Sequence, residues 1–389
     1  MKNTSSPSAC IMILAGEISG DMYGAAIVRE MRAASPAPLQ FYGIGGDRMR
    51  AEHVELLAHV SETGVMGFWE VFRRYPFLSR LMRAVTASLD TRRPDLVLTI
   101  DYPGFNLRLA ARAHARGIPT CHYICPQVWA WHKKRIPKIA RVLDRLITIF
   151  PFEPALFEGT GLNVSFEGHP LADQVAETLA EPAVRLPWAD GHRIALFPGS
   201  RRSEIARILP DELAAARLLE SRIGPCSFIV PVPTAEARAI VEAMVSRLSD
   251  KPRHLAIVDG GSRHVLRQAV AAVIKSGTST LEGALMGCPF VIVYRVSPLT
   301  FAILSRLITG VRHIGLVNIL ARRTVCRELI QKDLTPAAVA DELARLIGDP
   351  DARATMLAAF DDVRESVGPP GASQRVAAEA LTLIPPRKP

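Results

Sequence analysis

One pattern governs this chain from end to end: short apolar runs alternate with amphipathic stretches of helical period. The runs fall at residues 10–15, 40–44, 96–100, 120–124 and 145–150, then at 194–197, 227–231, 255–258, 271–274 and 290–294. Most are apolar at nearly every position, which suits strands covered on both faces, and helical patterns such as 22–34, 107–116, 204–222 and 235–248 lie between them. Strands joined through helices form parallel sheets, so the expected fold class is α/β, two Rossmann-like parallel-sheet domains facing a cleft. A chain of 389 residues also exceeds what one core usually organises. Polar sequence rich in Ala, Glu and Pro over 172–191 marks the break. The expected division is an N-terminal domain over 1–171, a linker over 172–191, a C-terminal domain over 192–348, and helices over 349–389.

The segment 271–289 carries the most chemical information. An apolar strand stops at Lys275, and Ser276, Gly277, Thr278, Ser279 and Thr280 lead directly into a helix. A helix N-terminus exposes unpaired N–H groups and about half a positive charge, and the hydroxyls add donors without crowding an anion, so the junction suits a diphosphate. Glu282, a turn inside, suits ribose hydroxyls as an acceptor. A second loop, Pro198 to Glu204, follows another apolar strand. There Gly199 permits close backbone approach, Ser200 offers a hydroxyl, and Arg201 presents a planar fork to phosphate oxygens. Ligands of open α/β sheets lie at the carboxyl ends of strands, so both loops are expected at one cleft. The bland alternative is a pair of ordinary βα turns with polar caps.

Several other chemistries lack their signatures. The chain has no G-x-x-x-x-G-K-[ST], no H-E-x-x-H and no G-x-S-x-G, which removes support for P-loop hydrolysis, zincin chemistry and the serine esterase elbow. Its first βα turn reads Ala-Gly-Glu-Ile-Ser-Gly-Asp over 15–21 and not G-x-G-x-x-G, so no nicotinamide or flavin cofactor is expected. Cys121 and Cys125, with His122 between them, read as buried thiols, because no second pair completes a zinc site. Asp349-Pro350-Asp351, the one D-x-D match, reads as a capped helix start, and no metal site is expected. Residues 1–9 are too short and polar for a signal peptide, and no run approaches the ~20 apolar residues of a membrane span, which points to the cytoplasm.

The formal net charge of +9 raises nucleic acid, an anionic membrane surface or acidic substrates as partners. Distribution favours the membrane. Residues 66–82 interleave Phe68, Trp69, Phe72 and Phe77 with Arg73, Arg74 and Arg80, and such rings suit headgroup depth while guanidinium groups meet phosphates. Pro76 is expected to split this stretch into two short helices that form a docking surface rather than a core element. Nucleic acid is not expected as a partner.

Short segments along the chain carry a resemblance as well: 15–21, Gly-Val-Met-Gly-Phe-Trp-Glu-Val at 64–71, Ile-Asp-Tyr-Pro-Gly-Phe-Asn at 100–106, His-Tyr-Ile-Cys-Pro-Gln-Val-Trp-Ala-Trp at 122–131, Phe-Pro-Phe-Glu at 150–153, Gly-His-Pro at 168–170, Pro-Gly-Ser-Arg at 198–201, Ser-Gly-Thr at 276–278 and Val-Asn-Ile-Leu at 317–320. The chain resembles the lipid-A-disaccharide synthase family of inverting GT-B glycosyltransferases. The resemblance implies transfer of the sugar of UDP-2,3-diacylglucosamine to the 6-hydroxyl of 2,3-diacylglucosamine 1-phosphate, giving lipid A disaccharide 1-phosphate and UDP. An inverting transfer needs one base, and Asp101, at the carboxyl end of an apolar strand, is the residue expected in that role, a cap for the helix after Pro103 being the alternative. UDP is expected at Gly199, Ser200, Arg201, Glu204, Ser276, Gly277, Thr278, Ser279, Thr280, Glu282 and Asn318. Glu17, Ser19, Asp21, Gln127, Trp129 and Trp131 fall to the acceptor side. No cofactor is implied; the partners are the two lipid sugars and an anionic membrane surface on the cytoplasmic face of the inner membrane, with a homodimer open, in which the helices over 349–389 pack on an N-terminal domain or cross onto a partner subunit. Val317 stands where the family often has proline, and Gly104 where an acidic residue is common. Two related UDP-N-acetylglucosamine enzymes, a UDP-sugar 2-epimerase and the peptidoglycan N-acetylglucosaminyltransferase, are the alternatives on the C-terminal loops alone.

Overall fold

The computed structural model describes residues 9–63, 68–131, 133–307 and 312–385, with the side chains of 63–75, 304 and 307 outside that description. The chain forms two α/β units: Met1–Asp173 with Val367–Pro389, and Gln174–Ser366. In the first, β1 (Ala9–Ala15), β2 (Leu39–Gly45), β3 (Glu55–His59), β4 (Leu96–Ile100), β5 (Thr120–Tyr123), β6 (Arg145–Thr148) and β7 (Asn163–Phe166) make one parallel sheet in the order β3-β2-β1-β4-β5-β6-β7. In the second, β8 (His192–Phe197), β9 (Cys226–Val232), β10 (Leu255–Asp259), β11 (Ala271–Lys275), β12 (Phe290–Tyr294) and β13 (Glu328–Ile330) run β10-β9-β8-β11-β12-β13, also parallel. The order reverses direction at β1/β4 and at β8/β11, the places where such sheets open a ligand crevice.

Both faces of each sheet are covered, which is why the strands read as unbroken apolar runs. On one side of β1, Ile11 and Ile13 pack with Ile27, Val28 and Met31 of helix Ile18–Ala34 and with Val376, Ala377 and Ala380 of helix Ala372–Leu381. On the other, Met12 and Leu14 pack with Val85, Leu89 and Leu109. The strands without that signature, β3, β7 and β13, are edge strands whose residues are largely half-exposed. Polar positions such as Glu55, Asn163 and Glu328 are tolerated there and hide the strand from a hydrophobicity reading.

The stretch expected to break at Pro76 is instead one helix, Phe68–Arg92, with Pro76 inside it. Tertiary packing outweighs the ~3 kcal/mol cost of an interior proline: Leu81, Met82, Val85 and Leu89 are buried, and Phe77 packs against the same cluster. The C-terminal part of 66–82 is therefore a core element, contrary to the expectation. Met66 lies outside the described residues, and so do the side chains of Phe68, Trp69, Phe72, Arg73 and Arg74.

The segment read as a linker also has structure. Helix Pro170–Ala180 occupies its first half. In the first unit Asp173 accepts from the N–H groups of Gly371 (2.6 Å), Ala372 (3.0 Å) and Ser373 (3.0 Å), capping helix Ala372–Leu381. In the second, Gln174 and Thr178 hold Arg263, and Trp188 donates to Gln268 at 3.1 Å. Asp349 accepts from the N–H groups of Asp351 and Ala352 ahead of helix Pro350–Ser366, the cap that the D-x-D reading expects. Among the described residues no helix is long and apolar enough to cross a membrane.

Candidate active site

β8 and β11 pair directly, Leu196 with Val273 and Phe197 with Ile274, so the loops leaving them emerge side by side. They frame a cavity of about 380 Å³ lined by Gly199, Ser200, Arg201 and Glu204 from one loop and by Lys275, Gly277, Thr278, Ser279 and Glu282 from the other. Two glycines make this approach possible. Gly199 has φ +114°, and a Cβ there would lie 2.5 Å from Glu204 Oε2; a Cβ at Gly283 would lie 2.7 Å from Ile274 Cδ1 and push helix Thr278–Leu285 off the sheet.

The charge pattern centres on a residue that the sequence reading passed over. Lys275, the last residue of β11, places Nζ 2.8 Å from Glu204 Oε1 and 5.9 Å from the Tyr294 ring centre. Arg201 Nη1 stands 3.6 Å from the same carboxylate oxygen. Glu204 Oε2 accepts from the N–H groups of Ser200 (3.2 Å) and Arg201 (3.4 Å). Burial works to raise the Glu204 pKa, but Lys275 and Arg201 outweigh it and hold the carboxyl below its ordinary value. Glu204 is thus an ionised brace that shapes the loop and holds two cations. It is not itself a group for a phosphate, which its charge would repel.

Glu282 is buried, and burial raises its pKa against the pull of Arg263, whose Nη1 lies 3.1 Å away. Three other residues expected on the nucleotide side have their side-chain donors engaged within the protein. Ser276 Oγ donates to the Ile314 carbonyl at 2.7 Å. Thr280, fully buried, donates to the Gly277 carbonyl at 2.8 Å and accepts from Leu316 N–H at 3.1 Å. Asn318, also fully buried, donates to the Cys326 carbonyl (2.8 Å) and Glu328 Oε1 (2.9 Å), and accepts from Val325 and Cys326 N–H (2.8 and 2.9 Å). Its two donors and its oxygen are all occupied. These residues build the walls behind the cavity and do not line it.

In the first unit the loops after β1 and β4 meet at the other reversal point. Asp101 and Tyr102 both adopt left-handed backbone, φ 47° and 48°, a strained pair for non-glycine residues. Asn106 fixes it, its Nδ2 donating to the carbonyls of Ile100 (3.0 Å) and Asp101 (2.7 Å). The Tyr102 ring packs so closely on Gly16 that a Cβ there would collide with it. Burial raises the Asp101 pKa and the charge of Glu17 adds to it, with the Tyr102 N–H offsetting part. Glu17 therefore supplies a second carboxylate near Asp101, from a different loop than Gly104, where an added Cβ would meet nothing within 4 Å. Tyr102 is the N-cap residue of helix Pro103–His114, and its own side chain makes no capping hydrogen bond.

The remaining acceptor-side residues divide. Helix Ile18–Ala34 begins four residues ahead of residue 22, the start of the sequence pattern, and takes in Ser19, which is exposed, and Asp21, which is buried. Asp21 accepts from the N–H groups of Gly46 (2.6 Å), Arg48 (3.1 Å) and Met49 (3.1 Å), so it caps helix Asp47–Ala51 and has a structural task. Trp129 is likewise interior: its indole N–H donates to the buried Glu153 at 3.1 Å and its ring meets Phe150 and Phe152 edge-on. Gln127 is exposed and Trp131 is 48% exposed. Arg80 is exposed. Cys121 and Cys125 are buried free thiols.

The sequence profile of a family described as Lipid-A-disaccharide synthetase matches residues 11–379. The lipid-A-disaccharide synthase of Syntrophus aciditrophicus (strain SB) is 40% identical over 380 residues, 97% of this chain and 98% of its own length. That of Anaeromyxobacter dehalogenans (strain 2CP-1 / ATCC BAA-258) is 42% identical over 377 residues, 96% of this chain and 97% of its own. Among solved structures, the calicheamicin glycosyltransferase superimposes with a TM-score of 0.61 at 15% identity, covering 98% of this chain and 99% of that one, a likeness of fold. With a family match over almost the whole chain and relatives at 40% identity spanning nearly all of it, the chain belongs to the lipid-A-disaccharide synthase family.

Proposed function

We propose that the chain transfers the sugar of UDP-2,3-diacylglucosamine to the 6-hydroxyl of 2,3-diacylglucosamine 1-phosphate with inversion, forming the β-1,6-linked disaccharide 1-phosphate and UDP. The observation that carries the nucleotide side is the cavity at the β8/β11 reversal, where Lys275, Arg201 and the first turn of helix Thr278–Leu285 surround one small space. UDP leaves as the anomeric C–O bond breaks, and those cations with the helix N-terminus stabilise the charge it gains. Glu282 accepts from the ribose. On the first unit, Asp101 takes the proton of the 6-hydroxyl as its oxygen attacks the anomeric carbon. A carboxyl with a raised pKa is a stronger base once ionised, and strain held by Asn106 fixes its direction. Mass spectrometry of the products from a mixture of the two lipid sugars tests this. A disaccharide 1-phosphate and UDP are expected; turnover of unacylated UDP-N-acetylglucosamine without disaccharide would replace the proposal by a 2-epimerase-type activity.

The same reading includes a docking surface at the N-terminal end of helix Phe68–Arg92, on the cytoplasmic face of the inner membrane. Exchange of Phe68, Trp69 and Phe72 for serine should release the protein from anionic liposomes and leave UDP affinity intact. Full liposome binding by that folded variant would remove the surface from the proposal.

A further inference from the structure

The second unit carries an apolar element that its nucleotide chemistry does not use. Helix Pro298–Leu307 follows β12 and exposes Leu299 (74%), Ile303 (50%) and Phe301 (39%). Its stretch of sequence carries no acid: between Glu282 and Glu328 the chain has no Asp or Glu but has Arg295, Arg306, Arg312, Arg322, Arg323 and Arg327. Arg295 is tied to Asp211, Arg323 to Asp362 and Arg327 to Glu342. Arg306 and Arg312 are exposed, and among the described residues neither has an ion pair.

We propose that helix Pro298–Leu307 is a membrane-docking element of the second unit, seating it on an anionic phospholipid bilayer beside the diphosphate cavity. Ten residues span about 15 Å as a helix, too short to cross a bilayer but suited to lying in its interface. Leu299, Ile303 and Arg306 follow i, i+4, i+7 spacing, so the arginine continues the stripe of the two apolar side chains. Its stem can lie along the acyl boundary while the guanidinium reaches a phosphate. Charge decides between occupants: a two-fold contact between copies would set the same unpaired arginines near one another, whereas lipid phosphates neutralise them. Position adds a consequence. β12 is the neighbour of β11, Tyr294 at its end lies 5.9 Å from Lys275 Nζ, and the helix begins four residues later. A lipid-linked UDP-sugar can then offer its diphosphate to the cavity with its acyl chains still in the bilayer. That consequence rests on the nucleotide reading above; the docking itself does not.

The test uses the full-length protein with vesicles of phosphatidylethanolamine and phosphatidylglycerol carrying brominated acyl chains. Ile303→Trp should add bromine-dependent quenching over its parent, and the addition should vanish on phosphatidylcholine alone. Leu299→Ser with Phe301→Ser and Ile303→Ser should lower vesicle affinity about tenfold or more, and Arg306→Gln about fivefold. These side chains are exposed, so folding and UDP affinity should hold, and the single Arg306 variant keeps the test open if the triple variant misfolds. Vesicle-bound Ile303→Trp protein with no added quenching overturns the proposal. So does a triple variant whose oligomeric mass falls by light scattering while its lipid affinity stays, since the surface is then a contact between copies. Wild-type protein that binds vesicles through this helix but not UDP would instead remove the nucleotide reading and leave the docking standing.

Discussion

Lys275→Met isolates the electrostatics of the cavity. In the free protein Lys275 neutralises Glu204 at 2.8 Å, and both side chains are mostly buried. Removing the ammonium leaves the Glu204 carboxylate with Arg201 alone at 3.6 Å, so the local charge offered to a diphosphate falls from one excess positive to none. A unit charge about 5 Å from a phosphate, at an effective dielectric of ~20, is worth about 3 kcal/mol. The charge-assisted hydrogen bond viewed by itself is worth about 1.5–3 kcal/mol, and these are two views of one contact. UDP affinity should therefore drop by roughly 10- to 150-fold, and uridine affinity should hardly change, because only the phosphates meet the lysine. Adding Glu204→Gln removes the orphaned carboxylate and should recover part of the loss, a coupling that a double-mutant cycle measures. Isothermal titration with UDP and uridine at two salt concentrations is the assay, with circular dichroism to confirm folding. Unchanged UDP affinity in folded Lys275→Met protein, or strictly additive effects in the cycle, would refute the placement of the diphosphate.

Asp101→Asn should lower turnover about 10²–10⁴-fold and leave UDP affinity unchanged, since the base and the nucleotide cavity belong to different units. The base acts when ionised, so activity should be lost as pH falls through its raised pKa, and Glu17→Gln should move that acid limb to lower pH; an unmoved limb would separate Glu17 from Asp101. Asn318→Ala strips the partners from two backbone N–H groups and should destabilise the fold by about 2–4 kcal/mol in urea titration, with near-normal UDP affinity in the protein that remains folded. Glu153, pushed up to about 7 by burial, stays protonated in the fold over a range where the unfolded chain ionises. The native state then holds the extra proton, so stability falls as pH rises from about 4.5 to about 7, by roughly 3 kcal/mol. Glu153→Gln should flatten that dependence, and an unaltered slope in thermal melts across pH 5–8 would show that another group is responsible.

The sequence by itself determined the class of fold and the two loops that line the cavity of the second unit. Strands buried on both faces are apolar at nearly every position, so β1, β4, β8, β11 and β12 are legible as runs, and the loops after them follow from the strand ends. Gly199, Arg201, Thr278, Ser279 and Glu282 were reachable because each residue type carries its capacity for phosphate or ribose with it. Tertiary structure alone decided how that capacity is used. Ser279 lines the cavity, whereas the hydroxyls of Ser276 and Thr280 are engaged by Ile314 and Leu316 from elsewhere in the unit, contacts that nothing in the local sequence shows. Asp21, Trp129 and Asn318 have the chemistry of ligands but are enclosed, and a buried polar group must find its partner within the protein. Lys275 was hidden for the converse reason: it ends an apolar strand, and only the pairing of β8 with β11 brings Glu204 to it. Pro76 shows the same dependence in the backbone, where contacts of Leu81, Val85 and Leu89 with distant strands hold a helix that local sequence would break.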